Sequence, residues 1–256
     1  MKAIIDGDSL VYLSLPKKAN PEATYETCLQ EMQSRIHEIL INTKANEYII
    51  GLTINRCFRY RNWNYSEDYK HKRKNSKHPP IYYALREYLK QNYNCIYIDG
   101  LEADDIVCTY YTECRKAGMN VTLCSTDKDV IFQVSGIHYN YAKKEFIKVT
   151  ASEATYFLYK QVLMGDTTDN ISGIKGVGEK TVDKLFYKKN IKQLPSIALN
   201  KYLDIYPHHE AINRFLETFK MVYILKSYKE VMREIGVEME LPKFEKIEYE
   251  GNKEIW

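Results

Sequence analysis

Three observations predict an α/β fold: a mostly parallel central sheet with helices on both faces, followed by a helical C-terminal part. Short apolar runs at 1–5, 48–52, 95–98 and 121–124 alternate with stretches of helical periodicity, as in βαβ units. The runs break at turn-forming residues such as Asp6-Gly7 and Asp99-Gly100. From about residue 151 the chain turns helical and glycine-punctuated. The expected division is an α/β core over 1–150, carrying a basic arch-like loop at about 54–80, and a helical part over 151–256 with a glycine hairpin at about 165–188.

Taken in order, Met1–Ile5 is a short buried strand ended by Asp6-Gly7-Asp8-Ser9. Tyr25, Leu29, Met32, Ile36, Ile39 and Leu40 place a helix between about 20 and 42, and Tyr48–Leu52 is the second strand. Residues 56 to 80 have little apolar periodicity. They are dense in Lys and Arg, with Phe58, Tyr60, Trp63, Tyr65 and Tyr69 interleaved, and His78-Pro79-Pro80 closes the segment before a helix over 81–92. Cys95–Ile98 is the third strand, and Gly100-Leu101-Glu102-Ala103-Asp104-Asp105 opens the helix after it, with Glu102, Asp104 and Asp105 in the first turn. The fourth strand, Val121–Cys124, runs into Ser125-Thr126-Asp127-Lys128-Asp129, and Gly136–Val149 forms a hairpin or two short edge strands. Thr150-Ala151-Ser152-Glu153 is a capping box for a helix to Met164. Helices then continue to about Lys226, and the mixed, charged stretch from Ser227 to Trp256 is not assigned.

With 45% hydrophobic and 28% charged residues in 256, the chain has the composition of a globular protein with a substantial core. No run reaches the length of a membrane span and the N-terminus starts directly on a strand, so a cytoplasmic protein is expected. The six cysteines show no C-x-x-C spacing, which fits buried thiols and excludes a zinc site of that kind.

The chemistry lies in the acids. Asp6/Asp8, Glu102/Asp104/Asp105, Asp127/Asp129 and Asp166/Asp169 sit at ends of strands or helices. If the first, third and fourth strands are parallel neighbours, three of these sets meet at the carboxyl edge of the sheet, where open α/β sheets bind ligands. Such a crowd of carboxylates cannot stay ionised without cations, and oxygen-only ligation selects a hard metal, Mg²⁺ or Mn²⁺. Two such ions suit an in-line phosphodiester displacement.

Two further stretches point to nucleic acid. Residues 169–181 contain Gly173, Gly176 and Gly178, but Glu179 intervenes before Lys180 and a helix precedes the loop, so this is no P-loop. A Gly-Val-Gly turn between helices fits a helix-hairpin-helix element holding a backbone phosphate on its N–H groups, with Lys175 and Lys180 adding charge. Lys70-His71-Lys72-Arg73-Lys74, in its Tyr/Trp-rich loop, reads as a phosphate-binding segment, and a lysine there would neutralise charge on a scissile phosphate.

Ile5-Asp6-Gly7, Phe58-Arg59 with Tyr69-Lys70-His71-Lys72-Arg73, Gly100–Asp105, Ser125–Asp129 and Met164–Thr181, in this order, resemble the flap endonuclease/5′→3′ exonuclease family, particularly its phage and bacterial members. The resemblance implies a PIN-like nuclease core. It implies that Asp6, Glu102, Asp104, Asp105, Asp127, Asp129, Asp166 and Asp169 hold two metal ions, and that Lys70 and Arg73 act at the scissile phosphate together with Asp6 and Asp104. Tyr69 would stack on the terminal base, while Arg59, Lys72, Lys74, Lys175, Gly176, Gly178 and Lys180 would contact nucleic acid. Carbonyls of Ile174 and Val177 would hold a K⁺ ion. The implied partners are DNA flaps, nicks or 5′ ends, extending to RNA–DNA hybrids, with no membrane and a monomeric protein.

Three departures stand out. Leu52 occupies the end of the second strand where the family generally has Asp, and Asp8 stands where the family usually has Asn or Thr, which makes it an outer group of the site. The span from Lys70 to Glu102 is short for a threading arch, so weaker dependence on a free 5′ end is expected. Three other readings compete. A DNA-structure-binding protein with weakened catalysis follows from Leu52. A haloacid-dehalogenase-like phosphatase follows from Asp6-Gly7-Asp8-Ser9, and a PIN-type ribonuclease shares the acid edge.

Overall fold

The computed structural model describes residues 1–16, 22–61, 63–65, 69–71 and 78–246. Lys2–Asp6 (β1) pairs in parallel with Glu47–Gly51 (β2) on one side and Val121–Cys124 (β4) on the other. Cys95–Ile96 (β3) joins β2, and Gly136–Asn140 (β5) joins β4, all in parallel. Glu145–Val149 (β6) closes one edge antiparallel to β5, so of the two expected alternatives the hairpin is the one formed, with β6 alone at the edge.

The order β3-β2-β1-β4-β5-β6 corrects one premise: the third strand is separated from the first by the second. Its acids nevertheless reach the first strand, because the helix that follows it, Ala103–Lys116 (α4), lies across β1, β2 and β4. Gly51 permits that crossing, since a Cβ there would sit 2.6 Å from Val107 Cγ1.

The strands read as unbroken apolar runs because both faces are covered. Alternate residues serve opposite cores. Ala3, Ile5 and Ile50 pack against Gly7–Leu13 (α1), Tyr25–Thr43 (α2) and Pro80–Asn92 (α3), through Leu10, Met32, Ile36, Leu85 and Leu89. Ile4, Ile49 and Leu123 pack against α4 through Ile106, Val107 and Tyr111. Asp127 caps a short helix, Lys128–Phe132 (α5), that the sequence pattern did not suggest.

The helical part has a core of its own. Ala151–Met164 (α6), Glu179–Phe186 (α7), Leu194–Leu203 (α8) and His208–Val222 (α9) bury Val162, Leu163, Val182, Phe186, Ala198, Tyr202 and Met221 together. The two-stranded ribbon of Gly165–Asp166 (β7) and Ile171–Ser172 (β8) lies between α6 and α7. The unassigned stretch after Lys226 folds back on the α/β core. Tyr228–Ile235 (α10) buries Val231 beside α4's residues, and Glu245–Lys246 (β9) pairs antiparallel with β2. Among the described residues no helix is long and apolar enough to cross a membrane, and all six cysteines are free.

One buried ion pair ties the α9–α10 connector to α4. Arg59 donates to both oxygens of Asp105, at 2.7 and 2.8 Å, to Glu102 at 3.2 Å, and to the carbonyls of Met221 and Tyr223. Asp105 also accepts from the backbone N–H of Leu225 at 3.0 Å and of Glu102 at 3.3 Å. Arg59 is 3% exposed and Asp105 0%, so neither plays the expected part. Arg59 has no surface to offer a nucleic acid, and the oxygens of Asp105 are spent on Arg59 and backbone N–H groups rather than left for a metal. Breaking a buried pair strands a charge. Arg59→Ala is therefore expected to lose about 3–5 kcal/mol of stability, measured by urea unfolding.

Candidate active site

A cleft of about 870 Å³ opens at the carboxyl ends of β1 and β4, lined among others by Asp8, Thr53, Lys70, Glu102, Asp104, Asp127, Asp129, Asp166 and Asp169. All four acid sets of the sequence therefore contribute to one place. A smaller cavity of about 30 Å³ is lined by Glu102, Asp104, Asp129, Gln161, Asp166 and Asp169, with Met221 and Val222 of the helical part.

Each acid is positioned by its own element. Asp6 ends β1 and caps α1, accepting from Ser9 N at 3.2 Å, Ser9 Oγ at 2.6 Å and Ser125 Oγ at 2.7 Å. Asp127 caps α5 and accepts from Asp129 N at 2.7 Å, while its own N–H donates to Ser125 Oγ at 3.0 Å. Ser125 thereby couples the ends of β1 and β4. Glu102 is the N-cap of α4, one residue before the helix proper, and shares a capping box with Asp105. One position on, Asp104 turns towards the cleft while Asp105 turns inward, as a rotation of roughly 100° per residue requires.

The electrostatics divide the acids. Burial lifts Asp104 well above the ordinary carboxyl range, and Asp127, Asp6 and Glu102 lift it further, with Lys70 offsetting only in part. Burial also raises Asp6 to about 6, against its hydrogen bonds from Ser9 and Ser125. Asp129 rises to about 6 through burial and the nearby Asp127, despite Lys128. Glu102 behaves oppositely: burial would raise it, but Lys70 and Arg59 hold it down to about 2. Burial would likewise raise Asp166, yet Lys128 at 3.4 Å brings it below its ordinary value.

Lysines occupy the cleft's edge as counter-charges. Lys70 Nζ bonds Glu102 and lies 3.7 Å from Asp169, while Lys128 lies 2.9 Å from Asp129. Burial would favour neutral Lys70, but Glu102 and Asp169 keep it charged. Its backbone N–H donates to Asp169 O at 2.8 Å and its φ is +52°, so the basic loop is pinned directly to the β7–β8 ribbon.

Tyr69 is a correction. Its ring is 4% exposed, edge-on to Tyr60, and its hydroxyl donates to Glu102 at 2.8 Å. A ring so enclosed cannot stack on a base. Lys72, Arg73 and Lys74 lie outside the described residues, as does part of the expected arch.

The strand-end position lacking an acid is filled differently. Leu52 is buried in the core, and Asp8, from α1, accepts from Thr53 N at 3.4 Å beside it. Arg86 of α3 bonds both Asp8 and the Thr53 carbonyl. Asp8 thus lines the cleft with one oxygen engaged by Arg86 and Thr53. The role of Arg86 was not read from the sequence; its spacing from Tyr82, one helical turn back, was the available signal.

The glycine hairpin is built for close approach. A Cβ on Gly165 would meet Ile171 O at 2.2 Å, and one on Gly173 would meet Met164 C at 2.2 Å, so the ribbon closes only with glycine at both. Ile174 N donates to Leu163 O at 2.8 Å and Val177 N to Ile174 O at 3.1 Å, forming the turn. Gly176 has φ +81°, whereas Gly178, the N-cap of α7, has an ordinary φ of −119° and open space around it. Bare backbone at Gly178, with exposed Lys175, Gly176 and Lys180 around it, is a surface a phosphate can approach.

The donor chemistry fits hard divalent cations: carboxylate oxygens surround the cleft, and burial first, then neighbouring carboxylates, raise Asp6, Asp104 and Asp129. Among the described residues no three of these side chains form a ready-made ligand set; Ser9 and Ser125 bond Asp6, Lys70 bonds Glu102, and Lys128 and Gln161 bond Asp129. Bound cations would take the place of those lysine contacts.

Comparison with known proteins gives a consistent picture. Residues 2–159 match the family described as 5′-3′ exonuclease, N-terminal resolvase-like domain. DNA polymerase I of Geobacillus stearothermophilus is 28% identical over 203 residues, covering 71% of this chain and 23% of that protein. The 5′-3′ exonuclease of Buchnera aphidicola subsp. Schizaphis graminum is 30% identical over 139 residues, covering 51% of this chain and 45% of the relative. The chain thus spans less than half the length of these relatives. Among solved structures, T5 5′-exonuclease with divalent metal ions (zinc) bound aligns with a TM-score of 0.66 at 17% identity, over 87% of this chain and 89% of that one. A bacteriophage T5 flap endonuclease in a pseudo-enzyme–product complex with DNA and metal ions gives 0.62 at 17% identity, over 92% and 93%. These two share the fold. A match running through more than half of the 256 residues, centred on the acid-bearing sheet, makes this chain a member of the 5′-3′ exonuclease family.

Proposed function

We propose that the chain is a divalent-metal-dependent, structure-selective 5′-nuclease that hydrolyses phosphodiesters in DNA, and in RNA–DNA hybrids, to remove primers or flaps during replication. The observation that carries this reading is the convergence of Asp104, Asp127 and Asp129 on one cleft, with Asp6 buried close to Asp104 and Asp6, Asp104 and Asp129 raised by burial and mutual repulsion. The 5′-exonuclease and flap endonuclease structures that share the fold carry metal ions, and one carries DNA.

Asp6, Asp104, Asp127 and Asp129 would hold a pair of Mg²⁺ or Mn²⁺ ions, with Glu102, Asp166 and Asp169 at the rim. Bound there, such ions would supply an activated water and a counter-charge for the leaving oxygen. Lys70, charged and already seated among the acids, is the side chain suited to the non-bridging oxygens of the scissile phosphate. Arg73 would assist it. The hairpin turn at Lys175, Gly176, Gly178 and Lys180 would grip duplex backbone, with a K⁺ ion on the carbonyls of Ile174 and Val177. The protein would act as a monomer.

A second reading has one observation in its favour: with Leu52 buried and Arg86 paired to Asp8, one side of the cleft is poorer in free acid, as in a DNA-structure-binding protein with weakened catalysis. A phosphatase using Asp6 as nucleophile is disfavoured, since it leaves the glycine hairpin and the basic segment without a role.

Incubating the protein with 5′-flap, nicked and single-stranded DNA separates these readings. Cleavage near the 5′ end with Mg²⁺ or Mn²⁺ and none with chelator is expected; tight flap binding without cleavage would establish the binding protein instead. Lys70→Ala is expected to lower turnover about 10²–10³-fold with little change in DNA affinity, measured by single-turnover kinetics and equilibrium binding. The acids also set a pH dependence. Asp6 and Asp129, at about 6, lie above the unfolded value of roughly 3.9, so the metal-free protein loses stability as pH rises through 6. Mn²⁺ binds the deprotonated carboxylates. The rise in Tm from Mn²⁺ over chelator should therefore be larger at pH 7 than at pH 5 in scanning calorimetry.

A further inference from the structure

Behind the cleft runs a chain of buried amides that the chemistry above does not use. Gln133, the C-cap of α5, and Gln161, on α6, are both buried. Gln161 Nε2 donates to Asp129 Oδ1 at 2.9 Å, and Gln133 Nε2 donates to Gln161 Oε1 at 2.8 Å. Gln133 Nε2 also donates to Val222 O at 2.6 Å, while its Oε1 accepts from Ile224 N at 3.2 Å and Lys226 Nζ at 3.5 Å.

The direction of this chain is fixed by its ends. A backbone N–H and a lysine face one side of the Gln133 amide and a carbonyl faces the other, so its NH₂ must point to Val222 and Gln161. Gln161 then has to present its oxygen to Gln133, which leaves its own NH₂ for Asp129. Reversing either amide would set oxygen against oxygen in a buried site, a costly arrangement. Lys128 also bonds Asp129 Oδ1, so Oδ2 is the oxygen that remains for a ligand.

The far end of the chain is the connector between α9 and α10. With the last turn of α9, it also holds the Arg59–Asp105 pair, through the Met221 and Tyr223 carbonyls and the Leu225 N–H. A single buried segment of the helical part therefore backs Asp129 on one side and Glu102 on the other.

We propose that Gln161 is a positioning residue, with Gln133 fixing its orientation: it holds Asp129 as a hydrogen-bond acceptor in one rotamer, so that the helical part sets the geometry of the metal cleft. This rests on the reading of Asp129 as a metal ligand. Hydrogen bonds to ligating carboxylates tune affinity by about 10–100-fold.

The test titrates Mn²⁺ into the DNA-free full chain by calorimetry, for the wild type, Asp129→Asn and Gln161→Met, with Tm in chelator and kcat and KM on a 5′-flap recorded alongside. Gln161→Met should weaken Mn²⁺ binding about 10–100-fold and lower kcat while leaving KM for DNA unchanged. A lowered Tm with wild-type Mn²⁺ affinity would mean that Gln161 only packs the core, and would overturn the proposal. If Gln161→Met does not fold, Gln161→Asn, one methylene short of Asp129, carries the same expectations. Loss of affinity in Asp129→Asn but not in the Gln161 variant overturns the relay alone; unchanged affinity in both overturns the metal-site reading and the relay with it.

Discussion

Mutual repulsion among carboxylates removed from water is the constraint on which the rest of this structure depends. Asp104 carries it most heavily, buried and facing Asp127, Asp6 and Glu102. A fold that merely needed stability would have no use for such a site, since burying a charge without a partner is costly. Arg59, by contrast, is a buried charge matched by Asp105. The contrast between a fully matched pair and an unmatched cluster one residue away on the same helix marks the cleft as the candidate functional site, and is the reason cations are proposed there.

The surrounding architecture is arranged to hold that repulsion in place. Apolar strands covered on both faces provide a stiff sheet, and their carboxyl ends carry Asp6 and, after β4, Asp127. Gly51 lets α4 settle low enough on the sheet to bring Asp104 to the same edge. The helical part contributes Asp166 and Asp169 on its glycine-closed ribbon and grips Lys70 through the Asp169 carbonyl. Further connections run through the interior, by way of Arg59 and the two glutamines.

Much of this was legible in the sequence, and the part that was not has a common physical cause. Strand runs, the order of helices and the acid sets are local patterns, so their elements were recognisable from neighbouring residues. What failed depended on partners far along the chain. Arg59 was read as a surface cation because it stands in a basic segment, yet its partner is Asp105, 46 residues on. Tyr69 looked like a stacking ring, but Glu102 and Tyr60 enclose it. The β9 strand gave no signal because two residues, Glu245 and Lys246, pair with β2 from nearly 200 positions away. Arg86 and the glutamines are single polar residues on amphipathic helices, indistinguishable in sequence from solvated ones. Asp104 and Asp105 show the limit most clearly, since adjacent identical residues end up with opposite fates that only the packing of α4 decides.

Crystals soaked in Mn²⁺ and measured at the manganese absorption edge test the central claim most directly. The account predicts anomalous density among Asp104, Asp127, Asp129 and Asp6, with Lys128 withdrawn from Asp129. Acids left in their metal-free contacts, with no anomalous peak in the cleft at saturating Mn²⁺, would contradict it.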